Sequence, residues 1–329
     1  MQKECLNAGV RHSCSEFGER LDDSASYHWL ARFMARHGLK PSSLQSEDLS
    51  KSEIRHRVVK SWRKFDEALK KAVKYQQQLD APSEIVVCNL DETGLRRCHR
   101  SNKIVIPADH KRPTLPTISQ SGDNLLAILT SNPALRFTPH LIVRPPMDPR
   151  LAESCRGKVI VRTDNENGTN RLTKAMFARV LQTILEEKRA RERAVGRRFV
   201  LILTCDPLGA HDNLSEETTA LCESSGLFQV ITEAGVGKYV QPADVGGLFR
   251  SVKAHCRRNP HADYVMTDEQ FVSEVLGYVS QYSVASEFTQ CGMCCSRQYT
   301  QLHSRLKEVL GDIEIPCPTL FSIRNARRE

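Results

Sequence analysis

The chain has 329 residues, 40% of them hydrophobic and 26% charged, with 47 Lys and Arg against 39 Asp and Glu for a net charge of +8. This is ordinary globular composition, with length for about two domains and one sizeable core. The longest apolar runs, such as Val200–Leu203 and Leu141–Val143, fall far short of the ~20 residues of a bilayer span, and no apolar stretch follows Met1 to make a secretory signal. The 12 cysteines are scattered through a long chain rich in Lys and Glu, which suits reduced intracellular thiols better than a disulfide framework. The charge is patchy. Residues 51–74 hold nine basic and three acidic side chains, residues 188–198 six and one, and residues 245–258 four and none. Such windows suit a polyanion partner, or else they are solvated helix faces.

Residues 24–38 read as a short helix. Ser24 or Ser26 caps it, Trp29, Leu30 and Phe33 share a face, and Gly38 stops it. Pro41 and the serines after it read as a linker. From Ser52 to about Gln78, Val58, Trp62, Phe65, Leu69 and Val73 recur at spacings of three and four, the mark of a long amphipathic helix that Pro82 ends. The apolar, β-rich run Glu84–Leu90 reads as a buried strand delivering Asp91 at its C-terminal end. Further strands are expected at Lys103–Ile106, Leu125–Leu129, Leu141–Val143 and residues 158–162. Thr173 caps a helix with the stripe Met176, Phe177, Val180, Leu181, Ile184 and Leu185. A second β-rich run, Phe199–Cys205, again ends on an aspartate, Asp206, and Phe228–Thr232 is one more strand. Pro242 opens a helix carrying Val245, Leu248, Phe249 and Val252 on one side, and the remainder looks helical and less regular. Strands alternating with helices indicate an α/β sheet domain.

Three aspartates sit where metal-dependent phosphodiester chemistry would want them: Asp91 and Asp206 at strand ends 115 residues apart, and Asp244 in the first turn of a helix 38 residues later. Rigid strand ends hold carboxylates close together. Such a cluster repels itself, and hard oxygen donors suit two Mg²⁺ or Mn²⁺ ions, which would activate a hydroxyl and stabilise the leaving oxygen. By spacing alone the signal is weak, since aspartates at strand ends are common.

The flanking residues sharpen it. Asn89-Leu-Asp-Glu-Thr-Gly94, Asp206-Pro-Leu-Gly-Ala-His211 and Gln241-Pro-Ala-Asp-Val-Gly246 occur in that order, with Lys253 downstream. They resemble the three signature blocks of the DDE superfamily endonucleases, the pogo/Tigger/jerky group of cut-and-paste transposases related to centromere protein B. Trp29–Leu39 is similar to the end of that family's second helix-turn-helix unit. The resemblance implies an RNase-H-like catalytic core, a mixed sheet flanked by helices, between a helical N-terminal fragment and a helical C-terminal region. Its divisions would be a partial helix-turn-helix remnant at 1–44, a basic linker helix at 45–82, the catalytic domain at 83–258 and the C-terminal region at 259–329. With only about 40 residues before the linker, the first helix-turn-helix unit is expected to be absent.

The same resemblance implies cleavage of DNA and joining of the freed 3′-hydroxyl. Asp91 and Asp206 would bridge two metal ions and Asp244 would complete one site. Glu92 is either a supporting carboxylate or a surface residue of the turn. His211 either orients a ligand or is a core or capping histidine. Lys253 either touches the DNA backbone or is a solvated helix lysine, and Arg250, Arg63, Lys64 and Arg36 are further expected DNA contacts. Nuclear residence and DNA as partner follow, no membrane is involved, and a homodimer is allowed. The alternative is a domesticated, non-catalytic DNA-binding protein resembling centromere protein B.

Two other signals are set aside. Cys291-x-x-Cys294-Cys295, with His303 and Cys317, invites zinc but lacks two well-spaced ligand pairs. Gly235-Val-Gly-Lys238 fails as a phosphate loop because Thr232 and Tyr239 stand where Gly and Ser/Thr are needed.

Overall fold

The computed structural model describes residues 27–43, 49–95, 103–107, 123–143, 149–162, 172–212, 214–257, 277–282, 284–295 and 297–311. Helix α1 (Tyr27–Arg36) stops at Gly38, whose φ of 57° favours glycine; the expected caps Ser24 and Ser26 lie outside the described residues. Strand β1 (Leu39–Ser43) follows, where a linker was expected. Pro41 is tolerated there because a two-stranded ribbon consists of edge strands. Helix α2 (Lys51–Gln77) opens with a capping box: the Ser50 hydroxyl accepts from the Glu53 N–H, and the Glu53 carboxylate accepts from the Ser50 N–H at 2.9 Å. Its buried stripe includes Val58, Trp62, Phe65, Leu69 and Val73, as the spacing predicts.

Strands β2 (Ser83–Leu95), β3 (Lys103–Pro107), β4 (Asp123–Thr130) and β5 (His140–Ile142) precede helix α3 (Pro149–Cys155) and strand β6 (Ile160–Arg162). Helix α4 (Lys174–Val195) is capped by Thr173, as predicted, and ends at Gly196 in the left-handed region. Strand β7 (Arg198–Cys205), helix α5 (Glu216–Ser224) and strand β8 (Leu227–Ile231) complete the sheet. Short helices α6 (Gly237–Val240) and α7 (Pro242–Val245) lead to α8 (Leu248–Arg257). The single helix expected after Pro242 is broken, because Gly247 takes a φ of 67° between α7 and α8. Helices α9 (Gly277–Gln281), α10 (Ala285–Gln290) and α11 (Ser304–Leu310) follow, with a 3₁₀ turn at Tyr299–Gln301.

Contacts divide the chain into two units, Met1–Asp48 with Arg100–Ile118 and Leu49–His99 with Ser119–Glu329. In the first, β1 and β3 pair antiparallel, Leu39 opposite Pro107 and Ser43 opposite Lys103. Lys103–Ile106 is therefore a strand, but not one of the main sheet. The second unit holds a six-stranded sheet in the order β6-β5-β4-β2-β7-β8. Strand β4 runs against both its neighbours, and every other pairing is parallel. This is the RNase-H-like mixed sheet flanked by helices that the sequence leads us to expect.

The alternation of β2 divides the interior. Val87, with Leu125, Ala127, Val200 and Ile202, joins the α2 stripe on one face of the sheet. Val86, Cys88 and Leu90 meet the α4 stripe on the other. Helix α2 is thus no free linker but one of the two covers of the sheet. Its long apolar stripe buries against β7 and β8.

Candidate active site

Asp91 does not end its strand as expected. Pairing with β4 carries β2 on to Leu95, with Asp91 opposite Ala127. The parallel pairing with β7, however, stops at Asn89 opposite Thr204. Asp91 and Asp206 each stand two residues beyond that last parallel rung, so the register alone sets them at one level. The third carboxylate arrives from outside the sheet, on the single turn α7, where Asp244 lies in the first turn after Pro242.

Asn89 binds the three elements together. Buried at the centre of the sheet, it donates through Nδ2 to the Thr204 carbonyl at 3.2 Å, and its Oδ1 accepts the Ala243 N–H at 3.0 Å. Thr204 in turn donates its hydroxyl to the Cys88 carbonyl at 3.0 Å. Gln241, ahead of α7, is buried and reaches Thr232, whose hydroxyl donates to the Cys205 carbonyl. Gly237 closes the cradle. A Cβ there would stand 2.8 Å from Asp244 Oδ2 and 3.0 Å from Gln241 Oε1. Sequence reasoning missed Asn89, Thr204 and Gly237. The available signal was position, since Asn89 and Thr204 each precede an acid by two residues and so share its side of the strand.

The electrostatics show that the carboxylates share one field. Burial raises the Asp91 carboxyl well above its ordinary value, and the charges of Asp244 and Asp206 raise it further. Its Oδ1 accepts the Glu92 N–H at 2.8 Å, which works the other way. Asp244 is more open to solvent at the mouth of the site. Its carboxyl is raised by the surrounding protein, lowered by Lys253, raised by Asp206 and lowered by Arg250. Arg250 and Lys253 also line a shallow open pocket with Asp244 and Phe249. Although α8 is separate from α7, both cations lie close enough to Asp244 to lower its carboxyl.

Glu92 points to the other side of β2. Asn124 Nδ2 donates to it at 2.9 Å, burial raises its carboxyl, and the His211 ring works against that rise. His211 is buried against Phe177, with ring centroids 4.6 Å apart. Its Nδ1 lies 3.0 Å from the Asp206 carbonyl and 2.7 Å from Asp206 Oδ1. The ring is aligned with the carbonyl, so Oδ1 is left buried with no hydrogen-bond donor, and so is His211 Nε2. Glu92 is therefore no surface residue of a turn, and His211 is a core histidine in contact with Asp206.

An all-oxygen donor set with an undonated carboxylate oxygen beside two like charges fits a hard divalent cation in chemistry. Among the described residues, no three His, Cys, Asp or Glu side chains are yet gathered closely enough to hold one ion together. The segment set aside as a zinc signal makes other contacts. The Cys291 carbonyl accepts Trp62 Nε1–H, while His303 caps α11 through Nδ1 and meets the Tyr239 carbonyl through Nε2; Cys317 lies outside the described residues.

Of the other expected DNA contacts, two lie on α2 and one on α1. Lys64 is ion-paired to Glu233 at 2.6 Å, and Arg63 is exposed on the same helix. Arg36 is exposed on α1, in the other unit. The basic windows divide likewise. Residues 245–258 adjoin Asp244, but Arg198 begins the strand after which Asp206 comes, about 25 Å away along it. The window at 188–198 thus lies at the opposite end of the sheet from the acids.

No protein-family model and no curated protein matches this chain. Among solved structures it is similar to the catalytic domain of Mos1 mariner transposase, with a TM-score of 0.37 and 12% identity over 75% of this chain and 95% of that one. It is similar also to a pre-cleavage Mos1 transpososome, with a TM-score of 0.39 and 10% identity over 88% of this chain and 72% of that one. A Mos1 strand transfer complex gives a TM-score of 0.36 and 12% identity over 88% and 71%.

Proposed function

We propose that this chain is a metal-dependent DNA endonuclease or transposase core of the DDE superfamily, which cuts phosphodiester bonds and joins the freed 3′-hydroxyl to a target. The observation that supports the reading is that the Asp91 carboxyl feels the charges of Asp244 and Asp206, which stand on α7 and just past β7, with both elements tied to β2 through Asn89. Bound Mg²⁺ or Mn²⁺ ions would neutralise this repelling set and supply Lewis-acid activation of water or a 3′-hydroxyl. The chain itself sets Asp91 and Asp206 two residues past the last parallel rung and brings Asp244, on α7, within reach of their charge. Arg250 and Lys253 at the rim attract the phosphate backbone.

The test is cleavage and strand transfer on duplex DNA with Mn²⁺, comparing wild type with Asp91→Asn, Asp206→Asn and Asp244→Asn. Each variant is expected to fall to background, and equal activity in all four would sink the proposal. The blocks at Asp91, Asp206 and Asp244 favour the pogo/Tigger/jerky group within the superfamily. Nuclear residence follows from a DNA substrate and is checked by imaging the tagged protein. A homodimer is checked by sedimentation with and without DNA.

The second reading, a non-catalytic DNA-binding protein, is favoured by the Asp206 carboxylate lying against His211, with Oδ1 2.7 Å from Nδ1. Calorimetry of Mn²⁺ binding separates the two. A site of micromolar or tighter affinity lost in Asp91→Asn supports the enzyme, and no detectable heat supports the binder.

A further inference from the structure

The far end of the sheet, where β7 begins and α2 and α4 end, is built of cations. Helix α2 runs antiparallel to β7 and β8. Its N-terminal half meets the chain just after β8, through Arg57 to the Ala234 carbonyl and Lys60 to Glu233. Its C-terminal half meets the α5–β8 turn, through Lys71 to Glu223 and Tyr75 to the Ser224 carbonyl. Helix α4 brings Arg189 to the same turn, where a guanidinium nitrogen donates to Ser225 Oγ at 3.3 Å. Arg189, Arg198 and Lys188 surround one cleft with Tyr75, Ser224 and Ser225.

The acids of this end are mostly accounted for. Glu192 is buried and receives Lys188 Nζ at 2.8 Å, the Phe199 N–H at 2.7 Å and Arg198 at 3.3 Å. Glu223 is matched by Lys71, and Glu84 by Arg197 at 3.2 Å. Asp80, exposed in the turn after α2, and Glu186, exposed on α4 three residues before Arg189, have no ion pair among the described residues. Against them stand Lys74, Arg189, Arg191 and Arg193, all exposed and without ion-pair partners among the described residues. Arg189 and Arg193 are four apart and share the flank of α4 that faces Ser225, next to the end of α2 that carries Lys74.

We infer that this cationic end is a docking surface for the phosphate backbone of duplex DNA, separate from the carboxylate site and independent of any metal. The cations come from α2, α4 and the start of β7 and spread over a broad face, which suits an extended polyanion rather than a single small one. The surface stands whether or not the acids cleave DNA. Lying about 25 Å from Asp206 along β7, it would hold duplex distant from the cutting centre.

The test is fluorescence anisotropy of a mixed-sequence duplex in EDTA across a salt series. It compares wild type with the triple variant Lys74→Ala, Arg189→Ala, Arg193→Ala. A control variant, Lys51→Ala, Arg156→Ala, Lys158→Ala, removes the same charge elsewhere on the surface. The far-end variant is expected to bind about tenfold or more weakly, with a salt slope shallower by about one unit for each lost contact, while the control stays near wild type. Unfolding midpoints of both variants confirm that the fold is intact. Equal affinity in the far-end variant, equal weakening in both variants, or no metal-free binding by wild type would each overturn the inference. So would preference for anionic phosphatidylserine vesicles over duplex. Because this assay contains no metal and spares every carboxylate, its outcome is separate from that of the cleavage assay.

Discussion

Asn89 carries no charge, yet it touches the strand of one carboxylate, the strand of another and the turn that holds the third. Replacing it with alanine leaves the Ala243 N–H buried and unpaired. Urea unfolding of Asn89→Ala is expected to show a loss of about 1–3 kcal/mol, and Mn²⁺ affinity should fall more than stability alone explains, since α7 loses its anchor. Asp91 makes the opposite kind of contribution. Its folded carboxyl titrates above the ordinary value of 3.8, because burial and the neighbouring acids Asp244 and Asp206 oppose its charge. The unfolded chain therefore loses this proton first as pH rises, and metal-free stability falls from about pH 4 upward, through the raised folded value. Asp91→Asn removes that loss without changing shape. In EDTA, thermal melts should find Asp91→Asn more stable than wild type at pH 7 and indistinguishable from it near pH 3. A variant less stable than wild type at pH 7 would show that Asp91 is not repelled as described.

At the scale of elements, two segments matter in ways their spacing hides. The short helix α6, which leads into α7, depends on Gly237, where an added methyl would press on Asp244 Oδ2 and Gln241 Oε1. Both are ends of flexible side chains, so Gly237→Ala is expected to keep the fold while displacing Asp244. Its melting temperature should stay near wild type while Mn²⁺-dependent cleavage drops at least tenfold. Helix α2 was expected to be a linker and is a cover of the sheet. Trp62 is fully buried, its Nε1–H donates to the Cys291 carbonyl, and the Arg297 guanidinium lies 4.5 Å above its ring. Gly292 approaches so closely that a Cβ would stand 2.8 Å from the indole. Arg297 also pairs with Asp66 at 2.8 Å, so α2 fastens the C-terminal segment to the sheet. Trp62→Ala should cost about 3–5 kcal/mol in chemical denaturation. The 3.6-residue spacing shows which face of α2 is buried, but nothing local says what lies against it.

At the scale of the molecule, one sheet separates two electrostatic ends, with carboxylates past the last parallel rung of β2 and β7 and cations where β7 begins. Sites this far apart with no shared partners should act independently. The Asp91→Asn change and the Lys74, Arg189 and Arg193 alanine changes are expected to combine additively in metal-free DNA affinity, with the charge at Asp91 contributing little. A coupling of more than about 0.5 kcal/mol in that cycle would show the two ends to be linked. The net charge of +8 is thus a sum over surfaces of opposite purpose. By itself the sequence determined the main-sheet strands, the longer helices with their α2 and α4 stripes, and where the three acids stand along the chain, because periodicity, caps and residue type act over a few neighbours. It also placed Asp206 directly after its strand. Only the tertiary structure decided that β2 runs past Asp91, that Gly247 splits the helix after Pro242, that Lys103–Ile106 leaves the main sheet, and that the basic window before Asp206 lies at the other end from it. Those facts depend on strand pairing, register and backbone conformation, in which the partner of a residue stands tens of positions or more away and the direction of a strand turns adjacency in sequence into distance in space.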